Sequence, residues 1–315
     1  MLLHILHETR YDYQPAALDA HHLSYLRPVE QPHQQILRHE IRIDPEPDYL
    51  LASKDLYGNH RLHFDLYRAH GHLRVQAESV VQTRPAPPPT APGPAWDELA
   101  QHYRYRIDAA CDAALEFVFA SACAPRAEIF AEFARPSFTS GRPLTEAVWD
   151  LMERLHEHMR YESNSTAVDT PAAQALAEGR GVCQDFAHIL IACCRSLGLP
   201  ARYVSGYLLT HPPPGQARLV GSDASHAWAS VYCPALTERG EIDRSRPGRW
   251  LDLDPTNRRS PGEDYVTLAL GRDYRDVSPL RGVIRGASQH ALSVAVTVTA
   301  ADGDAPESSG YSPGP

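Results

Sequence analysis

The sequence predicts an α+β protein: a β-sandwich-like domain over residues 1–83, then a second domain over 96–300 with helices first and a sheet second. Three observations carry this. Period-two alternation of apolar and polar residues dominates the first 83 positions, a proline-rich run interrupts the chain at Arg84 to Pro94, and helical spacing takes over from Trp96. At 315 residues the chain is long enough for two domains at roughly 150 residues each.

Within the first domain, Ile36 to Ile43, His60 to Tyr67 and His72 to Val81 alternate as strands. Tyr57-Gly58-Asn59 and Ala69-His70-Gly71 supply turns between them. Residues 84–95, with their prolines, can hold neither a helix nor an inner strand and read as a stiff linker.

In the second domain, Val148, Leu151, Met152, Leu155 and Met159 place one apolar face on a helix over Leu144 to Tyr161, with Ser140 or Thr145 as its cap. Strand texture returns at Ala201 to Leu209, Ala227 to Cys233, Trp250 to Leu253 and Leu292 to Thr299. The tail, residues 301–315, is rich in Gly, Ser, Pro and acids and reads as disordered.

Composition excludes several classes. Hydrophobic residues at 43% and charged residues at 22% are ordinary for a globular chain, and no run of 18 apolar residues could span a bilayer. With 30 basic against 39 acidic residues the net charge is -9, which argues against nucleic acid as a partner. Lys54 is the only lysine. Six cysteines (Cys111, Cys123, Cys183, Cys193, Cys194 and Cys233) form neither a disulfide framework nor a C-x-x-C zinc pattern, so they read as reduced thiols of a cytoplasmic protein. The start, MLLHILHETR, lacks the basic lead of a signal peptide.

The chemistry concentrates in GRGVCQDFAH, Gly179 to His188. Phe186, Ile189, Leu190, Cys193, Cys194 and Leu197 form an apolar stripe on a helix that ends at Gly198 and Pro200. Cys183 falls on its first turn, where free N–H groups and the macrodipole favour a thiolate and could hold an oxyanion. Cys193 and Cys194 lie in the stripe and are expected in the core. A nucleophilic cysteine needs a base. His188 is rotated about 140° from Cys183 on the helix and is expected to be a packing or surface residue. His226, in Ser225-His226-Ala227-Trp228, fits better: on a strand it shares a polar and aromatic face with Trp228, Ser230 and Tyr232, suited to a cleft wall. An orienting carboxylate could come from Trp250-Leu251-Asp252-Leu253-Asp254-Pro255. Spacing leaves Asp252, Asp254 and Asp223 as alternatives. Trp149 and Tyr161 could line a site, with core packing the stronger expectation.

Taken together, GVCQDFAH, then GLPARYVSGY (198–207), SHAW (225–228), DPTN (254–257) and the downstream GRDYRDVSPLRGV (271–283) resemble the bacterial transglutaminase-like superfamily, and Asp55-Leu56-Tyr57-Gly58-Asn59 is similar to its N-terminal domain. The resemblance covers about residues 1 to 300. It implies a papain-like transglutaminase core with Cys183 as nucleophile, His226 as general base and acid, and Asp254 as orienter. Residues 234–249 form an insert longer than the tight turn expected there, and decoration is the favoured reading over a cleft loop.

The expected activity is thiol acyl transfer on a peptide or protein substrate through a thioester, with hydrolysis favoured over transamidation to an amine. A non-catalytic binding module is the competing class. No cofactor and no metal is expected: Asp252 and Asp254 lack the pattern of a calcium loop, and no Cys/His pair has helical i, i+4 spacing for zinc. No membrane partner is expected, and the oligomeric state stays open.

Overall fold

The computed structural model describes residues 1–85, 93–104, 112–163, 165–210, 225–243 and 245–300. Most of the proline-rich linker, the tail, Cys111 and Asp223 lie outside them.

The N-terminal strands are β1 (Leu2–Ala17), β2 (Asp19–Ser24), β3 (Gln34–Asp44), β4 (Tyr49–Lys54), β5 (His60–Leu66) and β6 (His70–Thr83). Helices follow: α1 (Trp96–His102), α2 (Glu128–Ala134) and α3 (Leu144–His158). The short parallel strands β7 (Arg160–Tyr161) and β8 (Arg180–Gly181) flank α4 (Ala172–Glu178) and lead into α5 (Cys183–Ser196). Then come β9 (Ala201–Leu208), β10 (Ser225–Cys233), β11 (Arg249–Leu253), β12 (Tyr265–Gly271), α6 (Tyr274–Val277), β13 (Leu280–Arg285) and β14 (Gln289–Ala300). The α+β class and its order match the expectation.

Two four-stranded sheets, β14-β1-β6-β3 and β13-β2-β5-β4, make the sandwich. Phe64, Leu66, Leu73 and Val75 are buried in its core with Tyr13 and Leu280. The expected division at residue 300 needs correction here. β13 pairs with β2, and β14 runs along β1 from Leu3↔Ala300 to Gln14↔Gln289, so residues 280–300 complete the N-terminal sheets. Alternation identifies a strand but not which edge it joins, and the open edges of β1 and β2 lie in the first domain.

The sheet of the second domain, β11-β10-β9-β12, is antiparallel, with α5 against one face. α5 is buried on every side from Asp185 to Arg195, beyond the stripe expected, because α2, α3, α4 and the sheet surround it. Its one buried cation, Arg195, donates to the carbonyls of Phe117, Ala201 and Arg272, which offsets desolvation and ties the helix to the start of β9 and to the segments at Phe117 and Arg272. β12 is the edge next to the N-terminal domain, and two side-chain amides cover it. Gln34 exchanges bonds of 2.7 Å with the Thr267 N–H and C=O, and Asn59 does the same with Leu270 at 2.8 and 2.6 Å.

α3 ends at His158 rather than Tyr161, because Met159 is extended and Arg160 and Tyr161 pair with Arg180 and Gly181. Neither expected cap serves it. Pro143 stands at the N-cap, Thr145 lies inside the first turn, and Ser140 bonds Asp97 instead. The insert 234–249 includes a small turn closed by Leu236↔Ile242 and leaves β10 at the end opposite His226. No helix among the described residues is long and apolar enough to cross a membrane.

Candidate active site

Cys183 begins α5, half-buried. The turn into the helix is held by Asp185, whose Oδ2 accepts the Val182 N–H at 2.8 Å and the Thr166 hydroxyl at 2.6 Å. A side chain at position 181 would put its Cβ 2.7 Å from that oxygen, so Gly181 is required for the carboxylate to reach back. Burial pushes the Asp185 carboxyl up, and its two donors oppose this.

His226, near the start of β10, has only 10% of its side chain exposed. Its Nε2 lies 2.6 Å from Asp254 Oδ2, and Cys183 is near enough to act on the ring; with Nε2 engaged, Nδ1 is the ring nitrogen left for the sulfur. Burial alone would depress its pKa. The hydrogen bonds and charges of Asp254 and Cys183 outweigh burial and raise it to about 10.

Asp254 is fully buried and unusually well bonded. Its Oδ1 accepts the N–H groups of Thr256 and Asn257 at 2.9 and 3.2 Å. Its Oδ2 accepts His226, the Asn257 side chain at 2.7 Å and the Tyr265 hydroxyl at 2.7 Å. Burial disfavours the ionised form, but these donors prevail and hold the carboxyl below its ordinary value. The loop is anchored from behind by α3: His156 bonds the Pro255 carbonyl at 3.0 Å and Glu153 pairs with Arg258 at 3.1 Å.

The structure therefore brings Cys183, His226 and Asp254 together, and it separates Asp254 from Asp252. Asp252 faces Ser230 across the β10–β11 ladder, and Ser230 faces Arg202 across the β9–β10 ladder. The Ser230 hydroxyl donates to Asp252, and Arg202 opposes the upward push of burial on its carboxyl. Asp252 thus serves a half-buried polar row across the sheet. Asp223 lies outside the described residues.

The strand face of His226 differs from the expected cleft wall. Trp228 and Ser230 are 1% and 0% exposed, since Trp228 packs among Val204, Tyr265 and Leu270. Only the His226 end of the strand borders the site. Trp149 and Tyr161, expected in the core, are 40% and 51% exposed. Tyr161 pairs with Gly181 in the β7–β8 ladder, so an exposed aromatic residue stands on the strand beside the segment that leads into Cys183. His188 is a packing residue as expected: it is buried against Tyr203 and accepts the Tyr274 N–H. Cys193 and Cys194 are buried, and burial raises both thiols, Cys194 to about 12.

Two functional candidates escaped the sequence reading. Asn257, three residues after Asp254, carried an Asx-turn signal that could have revealed its role. Tyr265 carried none, because only the β9–β12 pairing brings it to the site.

Comparison with known proteins places this arrangement. Residues 131–255 match the core of the transglutaminase-like superfamily, and residues 3–82 match the bacterial transglutaminase-like N-terminal region. A Mycobacterium tuberculosis protein described as uncharacterized is 38% identical over 96% of this chain and 93% of its own. A Mycobacterium leprae protein, likewise described, is 30% identical over 94% of this chain and 98% of its own. A crystal structure from Cytophaga hutchinsonii, described provisionally as a cysteine protease, shares the fold with a TM-score of 0.69 at 19% identity, covering 96% of this chain and 92% of that one. The chain belongs to the transglutaminase-like superfamily and carries its bacterial N-terminal region.

Proposed function

We propose that the protein is a thiol acyl-transfer enzyme acting on peptide or amide bonds, with hydrolysis as the outcome. The observation that carries this is the position of His226, bonded to Asp254 through Nε2 at 2.6 Å and near enough to Cys183 for the sulfur to raise its pKa. The thiolate is the nucleophilic form of cysteine, and His226 is placed to take the proton from the thiol. The Cys183 thiolate attacks the carbonyl carbon, and the first-turn N–H groups of α5 face the oxyanion that develops. His226 then gives its proton to the leaving amine, the C–N bond breaks, and a thioester remains. Neutral His226 takes a proton from water, whose oxygen attacks the thioester. The C–S bond breaks, the acid leaves, and the thiolate–imidazolium pair is restored. Asp254 stays ionised throughout and holds the ring.

Hydrolysis is favoured over transamidation because the half-buried sulfur leaves its thioester open to water. A peptide or protein chain is the substrate class, with the exposed Tyr161 ring as a contact beside the nucleophile. The test is mass spectrometry of a glutamine-containing peptide library incubated with the enzyme, with and without a primary amine. Cleavage that disappears in Cys183→Ala supports the reading. Cys183-dependent deamidation supports it too, as hydrolysis at a side-chain amide, whereas amine incorporation would move the activity to the transamidase class. A folded wild-type protein that produces no Cys183-dependent mass change would leave the binding-module reading.

A further inference from the structure

We propose that His21, His63 and Asp65 form a binding site for a divalent transition-metal ion of the zinc class, on the solvent-facing side of the sheet β13-β2-β5-β4. His21 on β2 stands directly opposite Asp65 on β5, and His63 precedes Asp65 by two residues, so all three side chains leave the same face. Phe64 and His22, on the other face, are buried. His21 Nδ1 lies 2.8 Å and His63 Nε2 2.9 Å from one oxygen, Asp65 Oδ1, and the three atoms fall within 4.8 Å of one another.

Two imidazoles converging on a single carboxylate oxygen need only a small expansion to become ligands. Tetrahedral zinc with bonds of about 2.0–2.1 Å sets its ligand atoms roughly 3.3 Å apart, about 0.5 Å beyond the present nitrogen–oxygen spacings and inside the 4.8 Å that bounds the three atoms. The ring nitrogens would switch tautomer, and the N–H groups now donated to Asp65 would give way to the metal. The outer contacts are built for this. Tyr67 donates its hydroxyl to Asp65 Oδ2 at 2.8 Å, which fixes the carboxylate and leaves Oδ1 for the ion. The Tyr67 ring meets His21 edge-on at 6.1 Å, and the Tyr49 ring meets His63 at 6.2 Å, limiting how either imidazole turns.

Asp65 is buried while the side chains of His21 and His63 are 51% and 43% exposed, so an ion would have a fixed floor and an open fourth position for water. Two histidines and one carboxylate with an open position suit zinc and its first-row neighbours rather than calcium or magnesium. Sequence spacing hid the site because its ligands sit at strand separations of two residues and across a ladder. The bound ion would clamp β2 to β5.

The test uses metal-stripped full-length protein carrying Cys183→Ala, which removes the accessible thiol as a competing ligand. Equilibrium dialysis against Zn2+ is expected to show one equivalent more in this parent than in a parent with His21→Gln and His63→Gln. Tyr67→Phe should weaken that equivalent roughly 10-fold, as loss of an outer partner does. X-ray absorption at the zinc edge of the parent, which needs no further variant, should show imidazole nitrogen and no sulfur. Equal stoichiometry in the folded double variant, or a sulfur shell in the parent, would overturn the assignment.

Discussion

Asp254 reaches His226 on a diagonal. The β10–β11 ladder pairs Ala229 with Leu253, so the next step along it sets Asp254 level with Trp228, two residues from His226 on the same face. The Asx turn at Thr256 and Asn257 rotates the carboxylate toward the start of β10, and a 2.6 Å bond to Nε2 results. The loop after β11 thus makes the contact that strand pairing alone would miss.

Replacing that carboxylate should change the charge state of the ring. In Asp254→Asn the interaction that most raises His226 is lost, and burial then dominates and lowers its pKa from about 10. The alkaline limb of the pH–rate profile, where the imidazolium deprotonates, should move to lower pH, and kcat should fall by roughly 10²–10⁴-fold. An unchanged alkaline limb would show that Asp254 does not govern His226.

Tyr265→Phe removes one of the donors that keep Asp254 ionised and in place. A hydrogen bond to a charged group is worth about 1.5–3 kcal/mol, so kcat should drop roughly 10- to 100-fold with KM little changed. Steady-state kinetics on one peptide substrate would check the split between the two constants.

Gly206→Ala should fail by overpacking. A Cβ there would meet the Trp228 ring at 2.5 Å and crowd the Val266 carbonyl even more closely. Because Trp228 packs beside His226, the change should cost about 1–3 kcal/mol or more in thermal unfolding and lower activity as well.

Acid should destabilise the fold well above the carboxylate range. His7, His22 and His188 are buried, and burial lowers each pKa from 6.5 to about 4. Between those values the unfolded chain binds the protons that the folded chain refuses, so stability is lost as pH falls from 6.5 toward 4. Each residue adds a slope of up to about 1.4 kcal/mol per pH unit. Denaturant titrations at pH 7 and 5 should show the loss, and His22→Gln should reduce the slope.

Much of this site was legible in the sequence, because its parts are local. Gly181 before Cys183 and the apolar run after it announce a helix whose first turn holds a thiol. Alternation around His226 announces a strand. What stayed hidden depends on pairing across the chain. Nothing in Gln289 to Ala300 says that it runs beside β1, and nothing at Tyr265 says that it will meet Asp254, eleven residues earlier. Asp252 and Asp254 share a strand face, and only the Arg202–Ser230–Asp252 row separates a structural carboxylate from the one that holds His226. Tyr161 and Trp149 were misplaced for a different reason: aromatic residues at helical or strand spacing usually face a core, and these two face solvent.

A Cys183 nucleophile activated by His226 would show itself in its reactivity toward an alkylating agent. The protein would be treated with limiting iodoacetamide near neutral pH, quenched at intervals, and mapped by peptide mass spectrometry. Cys183 is expected to be alkylated well before Cys123, Cys193, Cys194 and Cys233, and His226→Ala to slow it to the rate of an ordinary thiol. Labelling of Cys183 no faster than Cys123, or a rate unchanged by His226→Ala, would contradict it.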